Sequence, residues 1–295
     1  MCLPESNTEA DAPLAAALPE GTIWYVTDPI CSHCWALDPA WRKLLFHYGA
    51  QLAVRHIYGG LLPGWQGFSD AGAGINGPAD VAPHWAEVAQ HYGQPIDPSV
   101  WLTDPLDSSY PACVAAHAAR MLDPEREDAY LRRIREAVFL EARNIARPEV
   151  LADCAADVGI DRDQFLAMFR SGAAEAAFRR DLQELRRLPV RGFPTLIIQG
   201  RAEQQAQVLS GTVPYAQLEA ALLKVSGLAR STQSPTAEAA LAAYGSGTTL
   251  EFAMLLGLAP AAAAEQLHSA GAHQTPIAGD ALWSGYPKHR NVEYP

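Results

Sequence analysis

The chain is poor in several features that define common protein classes. Cysteine is scarce, with five residues in 295, at positions 2, 31, 34, 113 and 154. An odd and sparse set does not build a secreted disulfide framework. Lysine and arginine total 22 against 33 acidic residues, a formal net charge of −11. That balance disfavours nucleic acid and anionic membrane surfaces as partners. No apolar run approaches the roughly 20 residues of a membrane-spanning helix. The first twenty residues have no basic region, and their apolar piece Pro13–Leu18 is short and preceded by acidic residues, so no signal peptide is read there. The expected compartment is therefore the cytoplasm, where a dithiol is kept reduced or cycles. No phosphate-binding glycine loop is present, since no Lys-Ser/Thr follows the glycines and no helix-opening GxGxxG follows a strand. Nor is there a second Cys or His pair to complete a structural zinc site, so no metal is expected.

What is present is an ordinary globular composition, 49% hydrophobic and 19% charged, long enough for one large or two smaller domains. The most informative feature is Cys31-Ser32-His33-Cys34, between the apolar run Thr22–Thr27 and an amphipathic stretch from Trp35 to Tyr48. Two thiols separated by two residues at a strand-to-helix junction form a dithiol/disulfide site. A thiolate at Cys31 faces the unpaired amides at the helix start, which lowers its pKa. Cys34 is placed as the resolving thiol, and a protonated His33 adds a second stabilising charge. Cys113 and Cys154 sit among alanines on predicted helices and read as small buried hydrophobes. Cys2, in the tail, carries no reading.

The pattern predicts a flexible tail over 1–20 and strands at 22–27, 51–58, 194–199 and 207–210. Between the middle two lies a nearly all-helical stretch, 78–188, with helices at 79–92, 110–122, 125–143, 148–158, 161–170 and 173–188. Pro39 is expected to kink the helix after the motif. Residues 59–77 hold seven glycines with Trp65 and Phe68, which reads as a mobile loop or lip whose two aromatics either grip an apolar substrate or anchor the loop. A last helix at about 214–225 leads to a linker over 226–235. The fold class is α/β: a small mixed sheet with helices on both faces, residues 21–77 and 189–226, interrupted by the helical domain 78–188. Gly192-Phe193-Pro194-Thr195 opens the third strand, and a proline there can be cis.

These residues together resemble the thioredoxin superfamily, in its DsbA-like branch with a helical domain between the second and third strands. The matching features are Cys31–Cys34, Pro39 eight positions after the first cysteine, and Phe193-Pro194-Thr195 as the cis-proline loop, over roughly residues 22–225. Asp28-Pro29-Ile30-Cys-Ser-His-Cys-Trp-Ala-Leu-Asp38 is most similar to cytosolic FrnE-type members and the related protease adaptors of the YjbH type. The resemblance implies thiol–disulfide exchange on protein dithiols or disulfides, with a redox-active Cys31–Cys34 disulfide, no metal or organic cofactor, and glutathione or thioredoxin as recycling reductant. It implies catalytic roles for Cys31, Cys34, His33 and Pro194. The backbone beside Pro194 would pair with an extended substrate, with Phe193 and Thr195 in contact and Trp35 as a lid or packing residue by the sulfurs. Serine at the second motif position and the missing export signal argue against a periplasmic oxidase. Retention of both thiols argues against the related glutathione-dependent isomerases and transferases.

Residues 236–284 predict two helices, 249–257 and 259–271, and a hairpin over 272–283, similar to a small winged helix. Residues 231–287 contain no lysine or arginine, which argues against DNA binding; protein docking or self-association is the better reading, with a simple packing extension as its alternative. Two further functions stay open: a redox-sensing adaptor that delivers clients to a protease, and a glutathione-dependent isomerase or transferase.

Overall fold

The computed structural model describes residues 20–200 and 206–285. Residues 1–19 with Cys2, and 286–295 with Lys288-His289-Arg290, lie outside the described residues, as does most of the tail expected over 1–20.

The first strand, β1 (Gly21–Thr27), is rich in β-branched and aromatic residues and sits inside the sheet, where both faces are covered. It is followed by α1 (Ser32–Tyr48) and by β2 (Leu52–Tyr58), parallel to β1. β3 (Thr195–Gly200) runs antiparallel on the other side of β1, so that Ile23 stands between Val54 and Ile198. β4 (Ala206–Ser210) pairs with β3 and alternates exposed and half-buried positions, as an edge strand does. The order is β2-β1-β3-β4. Leu37, Trp41 and Leu44 of α1 pack with Leu218 and Leu222 of α9 (Tyr215–Val225) against Ile23, Tyr25, Leu196 and Ile198. The α1 helix continues through Pro39.

Between β2 and β3 lie α2 (Pro78–Tyr92), α3 (Val100–Thr103), α4 (Tyr110–Leu122), α5 (Glu127–Phe139), α6 (Pro148–Asp157), α7 (Arg162–Arg170) and α8 (Ala173–Leu185). Their core joins Trp85, Trp101, Tyr130, Phe139, Phe165 and Phe178. Fully buried alanines of α4 (Ala112, Ala115, Ala116, Ala119) carry little side-chain volume, so α5, α7 and α8 pack close against it. Three boundaries differ from the sequence reading. The single turn α3 was not expected. The helix expected over 125–143 starts as a short 3-10 turn and ends at Phe139, because the chain reverses there: Ala142 takes φ +49° and Arg143 N donates to the Ala137 carbonyl at 2.8 Å. α8 stops at Leu185, short of 188, since Leu188 precedes Pro189 and is disfavoured in helical conformation.

The segment read as a linker is packed. Leu228 is buried with the α1–α9 core, Ser231 N donates to the His47 carbonyl at 3.1 Å and Gln51 Nε2 to the Ala229 carbonyl at 2.8 Å. It leads to α10 (Ala237–Tyr244), β5 (Ser246–Thr248), α11 (Thr249–Leu256), α12 (Pro260–Ser269), β6 (His273–Ile277) and β7 (Asp280–Ser284), with sheet order β5-β7-β6. α10 and β5 were not expected; the Ala-rich α10 has little amphipathic signal. Phe252, Leu255, Leu267 and Trp283 form a third core. Thr248 and Glu251 cap α11 reciprocally, Glu251 N on Thr248 Oγ1 at 3.2 Å and Thr248 N on Glu251 Oε2 at 2.9 Å. Among the described residues no single helix is long and apolar enough to cross a membrane.

Candidate active site

The α1 helix starts on the motif. Cys31 is the N-cap, and its sulfur accepts from Cys34 N at 3.3 Å, in the place where serine or aspartate oxygens usually satisfy an unpaired helix amide. Both cysteines are buried free thiols, Cys31 at 4% and Cys34 at 0% exposure. Cys31 lines a cavity of about 550 Å³; Cys34 does not. Its walls are apolar, from Ile75, Val81, Trp85 and Trp101, with Trp65 and Phe68 at the lip. Trp65 meets Phe68 edge-on at 5.7 Å and donates through Nε1 to the Leu106 carbonyl at 2.8 Å. The polar residues Asp70, His84 and Arg191 also border the space.

The Phe193–Pro194 peptide is cis. Phe193 lines the same cavity and lies so close to Gly59 that a Cβ there would stand 2.0 Å from its Cζ. Glycine is therefore the residue that fits at 59. Thr195 is buried and donates to the Gly192 carbonyl at 2.8 Å, which holds the loop. Thr212 Oγ1 donates to the His33 carbonyl at 2.8 Å and ties the start of α1 to the loop after β4.

The two thiols titrate as a pair. Burial, then the hydrogen bond to Cys34 and its charge, push Cys31 well above the usual thiol range. Burial opposes ionisation of Cys34 as well, but there the hydrogen bond from Cys31, the Arg135 guanidinium and the Thr27 hydroxyl outweigh it and bring the pKa down. One proton thus leaves early and the second is held. The sequence placed the depressed thiol at Cys31; the missing part was Arg135, which stands 101 positions from Cys34 in the chain and carries no motif. His33 is half-buried, and burial, with His84 and His91 near it, lowers its pKa. Its ring centroid is 5.9 Å from His84 and 5.7 Å from Tyr92. The charge expected on His33 is accordingly weakened at neutral pH.

Trp35 does not line the cavity: of the two roles expected of it, lid or packing residue, its surroundings are those of a packing residue, and its expected contact with substrate is not found. It is fully buried, stacks on Phe139 at 5.4 Å, lies under the Arg132 guanidinium at 4.5 Å and donates to the Pro95 carbonyl at 2.9 Å. The helical insert claims the whole ring. Asp28, at the end of β1, is buried and accepts from Ile30 N, Leu61 N and Ser109 Oγ at 3.0, 2.7 and 2.9 Å. Burial outweighs these donors and raises its pKa. Cys113 Sγ lies 3.5 Å from the same carboxylate and is pushed up by burial, and Cys154 is pushed up to about 11, so neither is a nucleophile at neutral pH. Among the described residues no cluster of His, Cys, Asp or Glu has metal-binding geometry.

Comparison with known proteins places the architecture. A family profile described as thioredoxin matches residues 24–220. The ClpXP adapter protein SpxH of Shouchella clausii is 30% identical over 88% of this chain and 85% of its own length. The protein of that name from Halalkalibacterium halodurans is 31% identical over 65% of this chain, which spans 63% of that relative's length. Among solved structures, the cytosolic disulfide reductase DsbM from Pseudomonas aeruginosa is 29% identical with a TM-score of 0.55, covering 69% of this chain and all (100%) of DsbM. A Nitrosomonas europaea chain, 23% identical with a TM-score of 0.60 over 70% of this chain and 97% of its own, shares the fold.

Proposed function

The chain belongs to the thioredoxin superfamily, in its DsbA-like branch, and from that premise we propose that it exchanges disulfides with protein substrates through Cys31 and Cys34. The observation that carries this reading is the position of Cys31: its sulfur caps α1, takes the Cys34 amide and borders the cavity that Phe193 also lines. In the reducing direction, the Cys31 thiolate attacks one sulfur of a substrate disulfide, and the other substrate sulfur leaves as a thiolate. Cys34 then attacks Cys31, which forms the intramolecular disulfide and releases the second substrate thiol. Two electrons pass to the substrate. A small or protein thiol, glutathione or thioredoxin, returns them, and reversal of the same steps oxidises a dithiol. The sulfur that titrates early, Cys34, takes the proton of Cys31 as the attack begins.

The Phe193 backbone pairs with the extended substrate, while Trp65 and Phe68 hold an apolar side chain beside its cysteine. Pro194 and Thr195 shape that loop. A cytosolic working place, as in the name of DsbM, goes with this reading.

The test is insulin reduction with glutathione or thioredoxin as reductant. Turnover that Cys31→Ser abolishes supports exchange, and Cys34→Ser accumulates mixed disulfides that identify the partner. Absence of both turnover and mixed disulfides sinks the reading. A second reading, that the chain delivers clients to a protease and senses redox state through its thiols, is favoured by the name and 85% coverage of the Shouchella clausii relative. Client binding that survives loss of both cysteines selects it.

A further inference from the structure

Behind the motif, and outside the cavity, lies a buried ionic network. It contains three guanidinium groups, Arg42, Arg132 and Arg135, and three carboxylates, Asp38, Glu136 and Glu251. Asp38 is one helical turn beyond Cys34 on α1, on the same face. Its Oδ1 accepts from Arg135 Nη1 at 3.0 Å and its Oδ2 from Arg132 Nη1 at 3.4 Å. Arg135, on α5 and 3% exposed, also donates through Nη2 to Thr27 Oγ1 at 2.5 Å, and its Nε has no hydrogen-bond partner. Thr27 is the last residue of β1, and its hydroxyl is among the groups that lower the Cys34 pKa. Tyr25, whose ring lies 5.8 Å from the Arg135 guanidinium carbon, places its hydroxyl 3.5 Å from the Cys34 carbonyl.

The C-terminal segment supplies the other end. Glu251 of α11 takes Arg132 through both oxygens, at 2.5 and 3.0 Å, and Arg42 at 2.6 Å. Gln94 Nε2 donates to it at 2.8 Å. A Cβ at Gly247, in β5, would stand 2.9 Å from Arg42 Nη1, so the backbone closes directly on the network. Without Glu251, Arg42 would lose that ion pair and Arg132 would keep Glu136 at 3.0 Å and Asp38 at 3.4 Å, in competition with Arg135 for the latter. The anion brought in by the C-terminal segment thus leaves Asp38 to Arg135 and fixes the cation nearest the inner thiol. Burial keeps these charges unscreened by salt.

We infer that Arg135 is a positioning residue for the Cys31–Cys34 couple, and that Glu251 makes the C-terminal segment a determinant of its redox equilibrium. The inference rests on the exchange reading of the same site. Reduction of the disulfide consumes two electrons and creates two sulfurs that between them carry one proton when the pair is a monoanion. A fixed cation stabilises that anion and so favours the reduced form, which makes the disulfide the stronger oxidant. The depressed pKa of Cys34, to which the Arg135 charge contributes, agrees with this direction. By linkage, the redox state in turn biases the grip of the C-terminal segment on α1.

The experiment is equilibration of the full chain with glutathione buffers at pH 7, reading K = [reduced protein][GSSG]/([oxidised protein][GSH]²). Arg135→Gln is expected to lower K about tenfold, a drop of about 30 mV for a two-electron couple. Arg135→Lys, which keeps the charge, is expected to restore most of the loss. Glu251→Gln is expected to raise K about threefold, because Asp38 is then drawn toward Arg42 and toward Arg132, which keeps only Glu136 beside it. Opposite signs are the signature, since a purely structural role destabilises oxidised and reduced forms alike and leaves K unchanged. If Arg135→Gln does not fold, Glu251→Gln decides, and a K equal to or below wild type overturns the inference. A wild type that equilibrates normally while the folded variants match it overturns this inference alone. A wild type that forms no Cys31–Cys34 disulfide in any buffer overturns the exchange reading with it.

Discussion

The first and third turns of α1 face different worlds. The first turn presents Cys31 to an apolar cavity bounded by the lip, α2, α3 and the Phe193 loop. The third turn presents Arg42 to a sealed ionic network closed by α11, and Lys43 adds a hydrogen bond to the Met254 carbonyl at 2.8 Å. At the cavity the chain keeps open space beside a reactive group. At the network it fills space with charges whose every partner is needed. The helical insert serves both ends, with Trp85 and Trp101 as wall and Arg132 and Arg135 as cations, whereas the C-terminal segment supplies the anion Glu251 only to the network. A segment that looks like an appendage in sequence is thereby part of the support of the motif.

The largest effect expected from this contrast is on stability, at the sealed end. Glu251→Ala leaves Arg42 and Arg132 buried without their main partner, a change that costs about 3–5 kcal/mol in comparable sites. Urea unfolding measures it, and a loss below about 1 kcal/mol would mean that the network is no tighter than a surface ion pair, which breaks the comparison. At the open end Trp65→Ala is expected to cost less stability, about 1–2 kcal/mol, because the ring is half-buried with one hydrogen bond. Its larger consequence is on substrate: KM for a protein disulfide rises about tenfold with kcat little changed, the pattern of lost uniform binding. A fall in kcat alone would move Trp65 from the lip into the chemistry and redraw the boundary between the two ends.

Legibility in the sequence followed the range of the interactions. The strands, most helices and the motif rest on neighbours within one turn or one strand, so alternation, helical spacing and capping residues revealed them. Phe193-Pro194 was readable because a strand-start proline is a local signal that the motif upstream made specific. Arg135 was not, since nothing in Leu131-Arg-Arg-Ile-Arg-Glu136 distinguishes it from Arg133, which pairs with Glu141 and Asp157, or from Arg132, which shares Asp38 but turns mainly to Glu136 and Glu251. Glu251 was not singled out either: it closes a local capping box with Thr248, and its ion pair to Arg42 depends on α1, more than 200 positions away. For Trp35 the choice between lid and packing residue stayed open in the sequence for a related reason: adjacency to Cys34 says nothing of which side of the helix the ring takes, and here it turns toward Phe139.

The smallest expected effect separates the two ends by the sign of a slope. At the network, burial opposes the Glu251 carboxylate but Arg132 and Arg42 outweigh it, so its folded pKa lies below the ordinary value of 4.5. A depressed carboxylate contributes stability that is present above its unfolded pKa and lost as pH falls through the folded one. At the cavity end, burial dominates the donors around Asp28 and lifts its folded pKa above 3.8. A raised carboxylate contributes stability that is present below its unfolded pKa and lost as pH rises through the folded one. Glu251→Gln should therefore be less stable than wild type by a gap that closes as pH drops below about 4.5, while Asp28→Asn, which removes a disfavoured charge, should hold an advantage over wild type at higher pH that wild type recovers as pH drops toward about 4. Urea midpoints at several acid pH values read both slopes on one axis. Parallel slopes would mean that the two buried carboxylates feel the same environment, and the division of α1 into an open and a sealed end would not hold.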